Sequence, residues 1–310
     1  MSETAIIGVD HGYAAMKTAH GSFPSGLVAY EHEPYTLKDV LEFEGRYYVV
    51  GSGRQPLQKD KTQTEDYYLL TLAAIAKELT CRGEDTTAEV HLAAGLPLTS
   101  FGRDKKPFRE YLYRGGEPVS FCFEGLDYTV AIDQVSLFPQ GYAAVLTQSA
   151  LLEEPSVIVA DIGGWTVDLM RLDDRIPNAA TCRSLELGMI RCLDEISEQI
   201  RRNLGLSMTA AQIESVLRCD SNRVSEDAKR IIRQQADAYV ARLLSAITES
   251  GLDARAMPAI FLGGGAALLK RHVAATEGLC RPLILDDVCL NAKGYERLVE
   301  RMSGSAAHGR

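Results

Sequence analysis

The chain has 310 residues, 46% hydrophobic and 24% charged, which excludes a disordered polypeptide and leads us to expect two domains of ordinary size. Its formal charge of −9 argues against direct binding to duplex DNA, where affinity rests on Lys and Arg neutralising phosphates. The opening Met1-Ser2-Glu3-Thr4 runs directly into the apolar segment Ala5 to Val9, which is too short and too uncharged at its start for a secretion leader, and no apolar run reaches the length of a membrane span.

In chain order, Ile6 to Ala19 reads as two short strands around a turn at Asp10-His11-Gly12. Tyr47 to Val50 is a strand stopped by Gly51-Ser52-Gly53, and Tyr67 to Leu79 carries helical apolar spacing. Val90 to Gly95 and Tyr128 to Ile132 read as strands, and Tyr142 to Leu152 as a helix. The run Val157 to Ala160 is apolar throughout, as in a strand covered on both faces; it meets Asp161-Ile162-Gly163-Gly164, and a strand returns from Thr166 to Leu172. Helices are predicted over Met189 to Leu204, Thr209 to Leu217 and Ser225 to Ser250. Ala259 to Leu262 is a buried strand running into Gly263-Gly264-Gly265, where a helix over Ala266 to Ala275 begins. A last helix covers Ala292 to Met302, and the tail from Ser303 to Arg310 is expected to be loose. The seven cysteines, Cys81, Cys122, Cys182, Cys192, Cys219, Cys280 and Cys289, have neither CxxC nor zinc spacing and read as buried reduced thiols of a cytoplasmic protein.

One device occurs twice. Val9-Asp10-His11-Gly12 and Ala160-Asp161-Ile162-Gly163 both end an apolar strand on Asp, with Gly two residues later and a second strand behind it. Glycine lets such a turn close tightly without a side chain in a ligand's way, and successive backbone N–H groups can converge on an anion. The two carboxylates, Asp10 and Asp161, suit a magnesium ion that keeps several of its waters. Either Asp alone is equally well a turn-former. Lys17 is a phosphate contact or an exposed strand lysine. The three glycines before Ala266 let a ligand approach a helix N-terminus, with its dipole and free N–H groups, or they make a tight packing turn. Neither GxxxxGK[ST] nor GxGxxG spacing occurs, so a nucleotide site here is of neither the Walker nor the dinucleotide type.

Asp161-Ile162-Gly163-Gly164-Trp165-Thr166-Val167-Asp168 resembles the second phosphate motif of the actin, sugar-kinase and heat-shock-chaperone superfamily. Asp10 to Lys17, through Gly12, Tyr13 and Ala14, resembles its first phosphate motif, and Phe261 to Ala266 its adenosine motif. Leu137 to Val145 and Asn291 to Tyr295 stand where the superfamily's two connecting helices belong. The resemblance implies an α/β, actin-like (ribonuclease H-like) fold with two related domains flanking a nucleotide cleft. Domain I would cover 1–156, with 291–310 returning to it, and domain II 157–290. Within the superfamily the chain is similar to the ParM/StbA-type plasmid or phage segregation proteins, through Gly95-Leu96-Pro97-Leu98 and the charged stretch to Arg109. Pro139-Gln140-Gly141-Tyr142 resembles the ParM loop that presents a catalytic Glu, but carries Gln140, as actin does; Gln orients a water without being a full base.

The resemblance implies ATP (with GTP left open) and Mg²⁺ as cofactors. It makes Asp10 and Asp161 the metal ligands, with Gln140, Asp161 and Asp10 catalytic. Gly12, Tyr13, Ala14, Lys17, Gly163, Gly164, Trp165, Thr166, Gly188, Gly263, Gly264, Gly265 and Ala266 would contact nucleotide. Trp165 stands where Gly or Thr is usual and reads as a core aromatic or as a lid. Gln212 and Glu214 read as a solvated helix face more than as ribose contacts. The implied partners are copies of the chain in a filament and a DNA-binding adaptor, with no direct DNA or membrane contact. Two alternatives stay open: a small-molecule, sugar-type kinase, for which no carboxylate stands at Gln140, and another bacterial cytoskeletal filament.

Overall fold

The computed structural model describes residues 4–53, 60–148, 153–218 and 223–307. The chain divides into two compact units, Met1–Gln148 with Cys289–Arg310, and Ser149–Val288. The described residues form mixed α/β structure in both.

The first unit runs β1 (Ala5–His11), β2 (Ala15–Lys17), β3 (Ser22–Pro24), β4 (Leu27–Tyr30), β5 (Val40–Phe43), β6 (Arg46–Val50), α1 (Asp66–Arg82), β7 (Thr87–Leu96), α2 (Phe101–Tyr113), β8 (Val119–Phe123), β9 (Leu126–Pro139) and α3 (Tyr142–Leu146). Its strands join one sheet in the order β3-β2-β1-β7-β9-β8-β5-β6-β4. The centre, β1, β7 and β9, is parallel, and β1 and β2 form an antiparallel hairpin. The edge strands β3 and β4 are separated in the chain only by Ser25 and Gly26, and the Gly51 N–H donates to the Gly26 carbonyl at 2.8 Å, so the sheet bends round towards itself. Helix α1 lies against it and is buried on every side from Tyr67 to Ala76. The amphipathic spacing seen in its sequence is thus the weaker half of its pattern: Leu70, Ala74 and Ile75 are buried as well, as expected of a core helix.

Strand β9 extends seven residues beyond the predicted end at Ile132. The polar pair Asp133-Gln134 masks this, because the register on β7 slips between Val90 and His91 and absorbs Asp133 as a bulge. The continuation replaces the start of the expected connecting helix, so Leu137–Pro139 is strand, and the helix is α3 alone. Helix α3 ends at Leu146, short of the predicted Leu152, whose last residues, 149–152, lie outside the described ones. The charged stretch to Arg109 is helix α2, whose Phe108 and Leu112 face the core.

The second unit runs β10 (Ser156–Ile162), β11 (Val167–Asp173), β12 (Ile176–Pro177), β13 (Arg183–Leu185), α4 (Met189–Leu204), α5 (Ala210–Leu217), α6 (Glu226–Glu249), β14 (Ala259–Leu262), α7 (Gly263–Ala274) and β15 (Pro282–Ile284). Strands β12-β11-β10-β14-β15 form its sheet, with β13 on β11. Strands β10 and β11 form an antiparallel hairpin, while β14 and β15 continue parallel to β10. This is the β1–β2, β7, β9 arrangement again, so the twofold Asp-x-Gly pattern marks a repeated topology. Thr209 and Ser225 cap α5 and α6 through their side chains, which explains the sharp starts read from sequence.

Helix α8 (Leu290–Ala307) returns to the first unit. It packs on α3 where Gly294 meets Ala143: a Cβ there would lie 2.5 Å from the Ala143 carbonyl oxygen. The helix continues through Ala307, correcting the expectation of a loose tail from Ser303; Ser303 Oγ bonds the Val299 carbonyl at 3.1 Å inside it. Arg82 of α1 fastens α8, donating to Glu78, to Glu296 and to the Ile6 carbonyl. Burial raises the Glu296 carboxyl against the pull of Gly8 N–H and Arg82. The cysteines only partly match expectation: Cys192 and Cys289 are buried, Cys122, Cys182 and Cys280 half-buried, Cys81 exposed, and Cys219 lies outside the described residues.

Candidate functional site

In the first unit the hairpin register places Asp10 directly opposite Lys17. The lysine amine donates to Asp10 Oδ2 at 3.0 Å, and Gln140 Nε2 donates to Oδ1 at 2.9 Å. Asp10 and Gln140 stand at the carboxyl ends of the parallel strands β1 and β9, on either side of β7, the customary ligand end of such a sheet. Burial alone would raise the Asp10 carboxyl, but Lys17's charge and hydrogen bond, with Lys61, outweigh it and hold it below the usual carboxylate range. An ionised carboxylate accepts and does not donate, so Gln140 must present its NH₂ to Asp10, which turns Oε1 away as an acceptor.

Gln140 is itself held. Its N–H donates to the Leu96 carbonyl at 2.9 Å, and the Asn291 side chain accepts from Gly141 N at 2.8 Å. Gly141 sits at φ +70°, a conformation that favours glycine and turns the chain from β9 into α3. Asn291 therefore positions the Gln140 loop, a role its sequence context, the start of a helix, did not disclose.

The first turn is tight. The Gly12 N–H bonds back to the Asp10 carbonyl at 3.0 Å, and a Cβ on Gly12 would lie 2.4 Å from the Ala15 carbonyl oxygen. His11 is fully buried, its Nε2 2.8 Å from Thr71 Oγ1, edge-on to Phe108. Burial and then the charge of Lys61 push its imidazole down to about 3, so it is neutral at physiological pH. Tyr13 is half-buried and Ala14 exposed.

In the second unit Asp161 is buried near the end of β10, opposite Asp168 on β11 and Leu262 on β14. Gly163 N donates to the Thr166 carbonyl at 2.9 Å, closing the turn, and Thr166 Oγ1 reaches Asp168 Oδ2 at 3.4 Å. The turn is joined to α4: Met189 N and Ile190 N donate to the carbonyls of Gly163 and Gly164 at 3.0 and 2.9 Å, and Gly188 N to that of Trp165 at 2.8 Å. Gly188 has to be glycine, since its Cβ would fall 2.2 Å from the Trp165 carbonyl carbon. Trp165 is half-buried and outside the core cluster of its unit, so it is not a core aromatic.

Asp161 and the glycine run come together. Gly263 adopts φ +90°, and a Cβ on it would meet Asp161 Oδ1 at 2.4 Å. Gly265 leaves room for Ile162, and Ala266 is buried behind it. All three glycines belong to α7, which starts at Gly263 and not at Ala266. Above Gly264 nothing lies within 4 Å, and Leu262 at the cap offers no side-chain acceptor. Here α7 differs from α4, whose first N–H groups are spent on the turn. Gln212 and Glu214 serve α5 itself, one in its capping box and the other paired with Arg218, in line with a solvated face.

Two family models match the chain: Actin like proteins N terminal domain over residues 8–142, and Archaeal actin homologue MreB-like, C-terminal, over residues 159–275. No curated protein sequence matches it. Among solved structures, it is similar to the archaeal actin homolog Ta0583 in complex with ADP, at 21% identity and TM-score 0.76 over 96% of this chain and 100% of that one. The 15-stranded ParM filament from Clostridium botulinum aligns at 19% identity and TM-score 0.73, over 96% of this chain and 99% of that one. Bacillus thuringiensis ParM with ATP aligns at 15% identity and TM-score 0.69, over the same shares. With its two halves matched in order by actin-type models and its fold shared with archaeal and ParM homologues, the chain belongs to the actin-like protein family.

Proposed function

We propose that this chain binds ATP with magnesium, hydrolyses it and assembles into filaments, working in the cytoplasm to segregate plasmid DNA through a DNA-binding adaptor. The observation that carries the reading is the bonding of one buried, ionised carboxylate, Asp10, to both Lys17 and Gln140 at the carboxyl ends of parallel strands. Its echo at Asp161, packed on Gly263, supports it. So do the relatives: the archaeal homolog was solved with ADP, a ParM with ATP, and another ParM and Alp12 as filaments. Among the described residues no helix is long and apolar enough to cross a membrane.

The residues fit the nucleotide and its metal. Asp10 and Asp161 are hard oxygen donors that would hold magnesium through its waters. Bound there, the ion would neutralise charge building up on the phosphates. Gly12 and Gly163 spend their own N–H groups inside the turns, so the contacts to phosphate fall to the following residues, Tyr13 and Ala14 in the first turn and Gly164, Trp165 and Thr166 in the second. Lys17 adds positive charge to the first turn. Gly188 lets α4 close on the second turn; Gly263 and Gly265, with Ala266 behind them, seat the start of α7 on Asp161 and Ile162, and Gly264 leaves it open to the adenosine. Gln140 Oε1, directed away from Asp10, orients the attacking water.

Light scattering of the purified protein on adding ATP and magnesium, with EDTA as control and pelleting alongside, tests the reading. We expect a rise that depends on both nucleotide and metal, with protein in the pellet. A flat trace with phosphate transferred to an added hydroxyl compound would overturn it in favour of a kinase.

A further inference from the structure

The first turn is held by groups from outside its own motif. Lys61, 50 residues away in sequence, donates from Nζ to the His11 carbonyl oxygen. Its ammonium group lies over two rings at once, 4.9 Å from the centroid of Tyr13 and 5.3 Å from that of Tyr67. Ser25, buried between β3 and β4, donates from Oγ to the Gly12 carbonyl at 2.6 Å and from N to the Ala14 carbonyl at 3.1 Å. Three carbonyls of one turn are thus drawn outward.

A peptide group is planar and trans, so fixing its C=O also fixes the N–H on its other side. With the His11 carbonyl held by Lys61, the Gly12 N–H is directed to Asp10, where it bonds the carbonyl at 3.0 Å. With the Gly12 carbonyl held by Ser25, the N–H of Tyr13 is turned to the opposite side. Turned in this way, the Tyr13 N–H can meet an anion lying over the turn. Lys61 further brings a cation, and two aromatic faces hold that cation where solvent alone would let a lysine wander.

We propose that Lys61 is a positioning residue for the first turn: it locks the His11–Gly12 peptide, and on that fixed base Ser25 presets the next amide, the Tyr13 N–H, for the phosphates of a nucleotide. This rests on the nucleotide-binding reading above, and it adds a residue that belongs to none of the three glycine-containing motifs. Lys61 acts through the His11 peptide. Methionine at this position would keep an unbranched stem of similar length while removing the donor and the charge; arginine would keep both.

The experiment compares wild type with Lys61→Met, Lys61→Arg and Ser25→Ala in two ways. Amide hydrogen exchange over residues 10–17 is followed without nucleotide, and ADP binding is followed by calorimetry with magnesium. Lys61→Met should quicken exchange in that segment and weaken ADP binding about tenfold, the scale of one lost charge-assisted hydrogen bond. Ser25→Ala should do the same in exchange, and Lys61→Arg should restore both readouts. Unchanged exchange and affinity in Lys61→Met would overturn the inference. Quickened exchange spread evenly through the first unit, or no recovery with arginine, would also overturn it and make Lys61 a general stabiliser. If wild type itself does not bind ADP, the nucleotide reading fails, while the exchange comparison still decides whether Lys61 clamps the turn.

Discussion

The two Asp-x-Gly turns share a backbone plan and differ in what restrains them. At the first, side chains do the holding: Lys17 and Gln140 bond the Asp10 carboxylate, and Lys61 and Ser25 bond the carbonyls behind it. At the second, backbone does it: the amides of α4 bond the turn's carbonyls, and Asp161 rests on the bare Cα of Gly263. The same turn can be fixed by long polar side chains or by helices brought within bonding distance by glycine. The first solution tunes charge, since Asp10 is held ionised. The second tunes position, since its groups have little freedom to move.

The largest effects should come from the carboxylates. Asp10→Ala and Asp161→Ala should each cut ATP turnover by roughly 10³-fold, within the range for removing one positioned group from a phosphoryl-transfer site. Steady-state phosphate release measures it. The comparison sharpens in the stability of the Asp10→Ala variant, which leaves Lys17, only 13% exposed in its side chain, without the Asp10 carboxylate. Asp10→Ala should therefore unfold at lower urea. Turnover unchanged in either variant would remove that Asp from the site.

Next is a pair of adjacent glycines. Gly263→Ala puts a Cβ 2.4 Å from Asp161 Oδ1 at φ +90°, and should cost about 3 kcal/mol in a urea titration, from strain and clash together. Gly264→Ala meets nothing within 4 Å and should gain up to about 1 kcal/mol from helix propensity. It should nonetheless weaken ATP binding, because the added methyl enters the space above α7. Equal stability for the two variants would mean that the second turn is not held by this backbone contact.

Gln140→Ala probes the side-chain solution at the first turn. Hydrolysis should slow by roughly 10²-fold, the low end for a group that handles a proton or its water, while ATP affinity stays close to wild type. A collapse of affinity with turnover little changed at saturation would make Gln140 a binding group. Asn291→Ala should show a milder form of the same loss, since it reaches Gln140 through Gly141 N and leaves in place the Gln140 Nε2 bond to Asp10.

The sequence was most legible where burial and local geometry agree. Strand β14 and helix α4 have the bounds read from periodicity, since the first is apolar throughout and the second has one apolar face. The two turns were legible because glycine after a strand-ending Asp is a local signal. Strands β3, β4, β5 and β8 were not read, being three to five residues long with mixed exposure and no clear alternation. Among the site residues, Asp10, Lys17 and Gln140 were named in advance, and their mutual bonds came only with the strand register. Lys61 and Asn291 were invisible as partners, because a lysine in a polar loop and an asparagine at a helix start have many local explanations. Their roles depend on contacts across 50 and 150 residues of chain.

The effect that separates the two turns most cleanly is in acid. Only the first turn carries a buried histidine. Thr71 donates its hydroxyl to the Tyr67 carbonyl at 2.6 Å, so its oxygen accepts from His11 Nε2–H at 2.8 Å, as a neutral imidazole provides. The native ring stays neutral down to about 3, whereas in the unfolded chain it takes up a proton near 6.5. Between these values the unfolded state binds more protons, so the stability His11 supports is complete above 6.5 and lost as pH falls towards 3. At pH 5 only the unfolded histidine has titrated, and the loss is about 2 kcal/mol whatever the native value below that point. Asp10, also lowered, adds its own loss only further down, below 3.8. Urea midpoints of wild type and His11→Gln at pH 7 and pH 5 measure it: the wild type should lose more than the variant on acidification. Equal losses would show that the first turn tolerates a charged ring, and that its hold on Asp10 is looser than its geometry indicates.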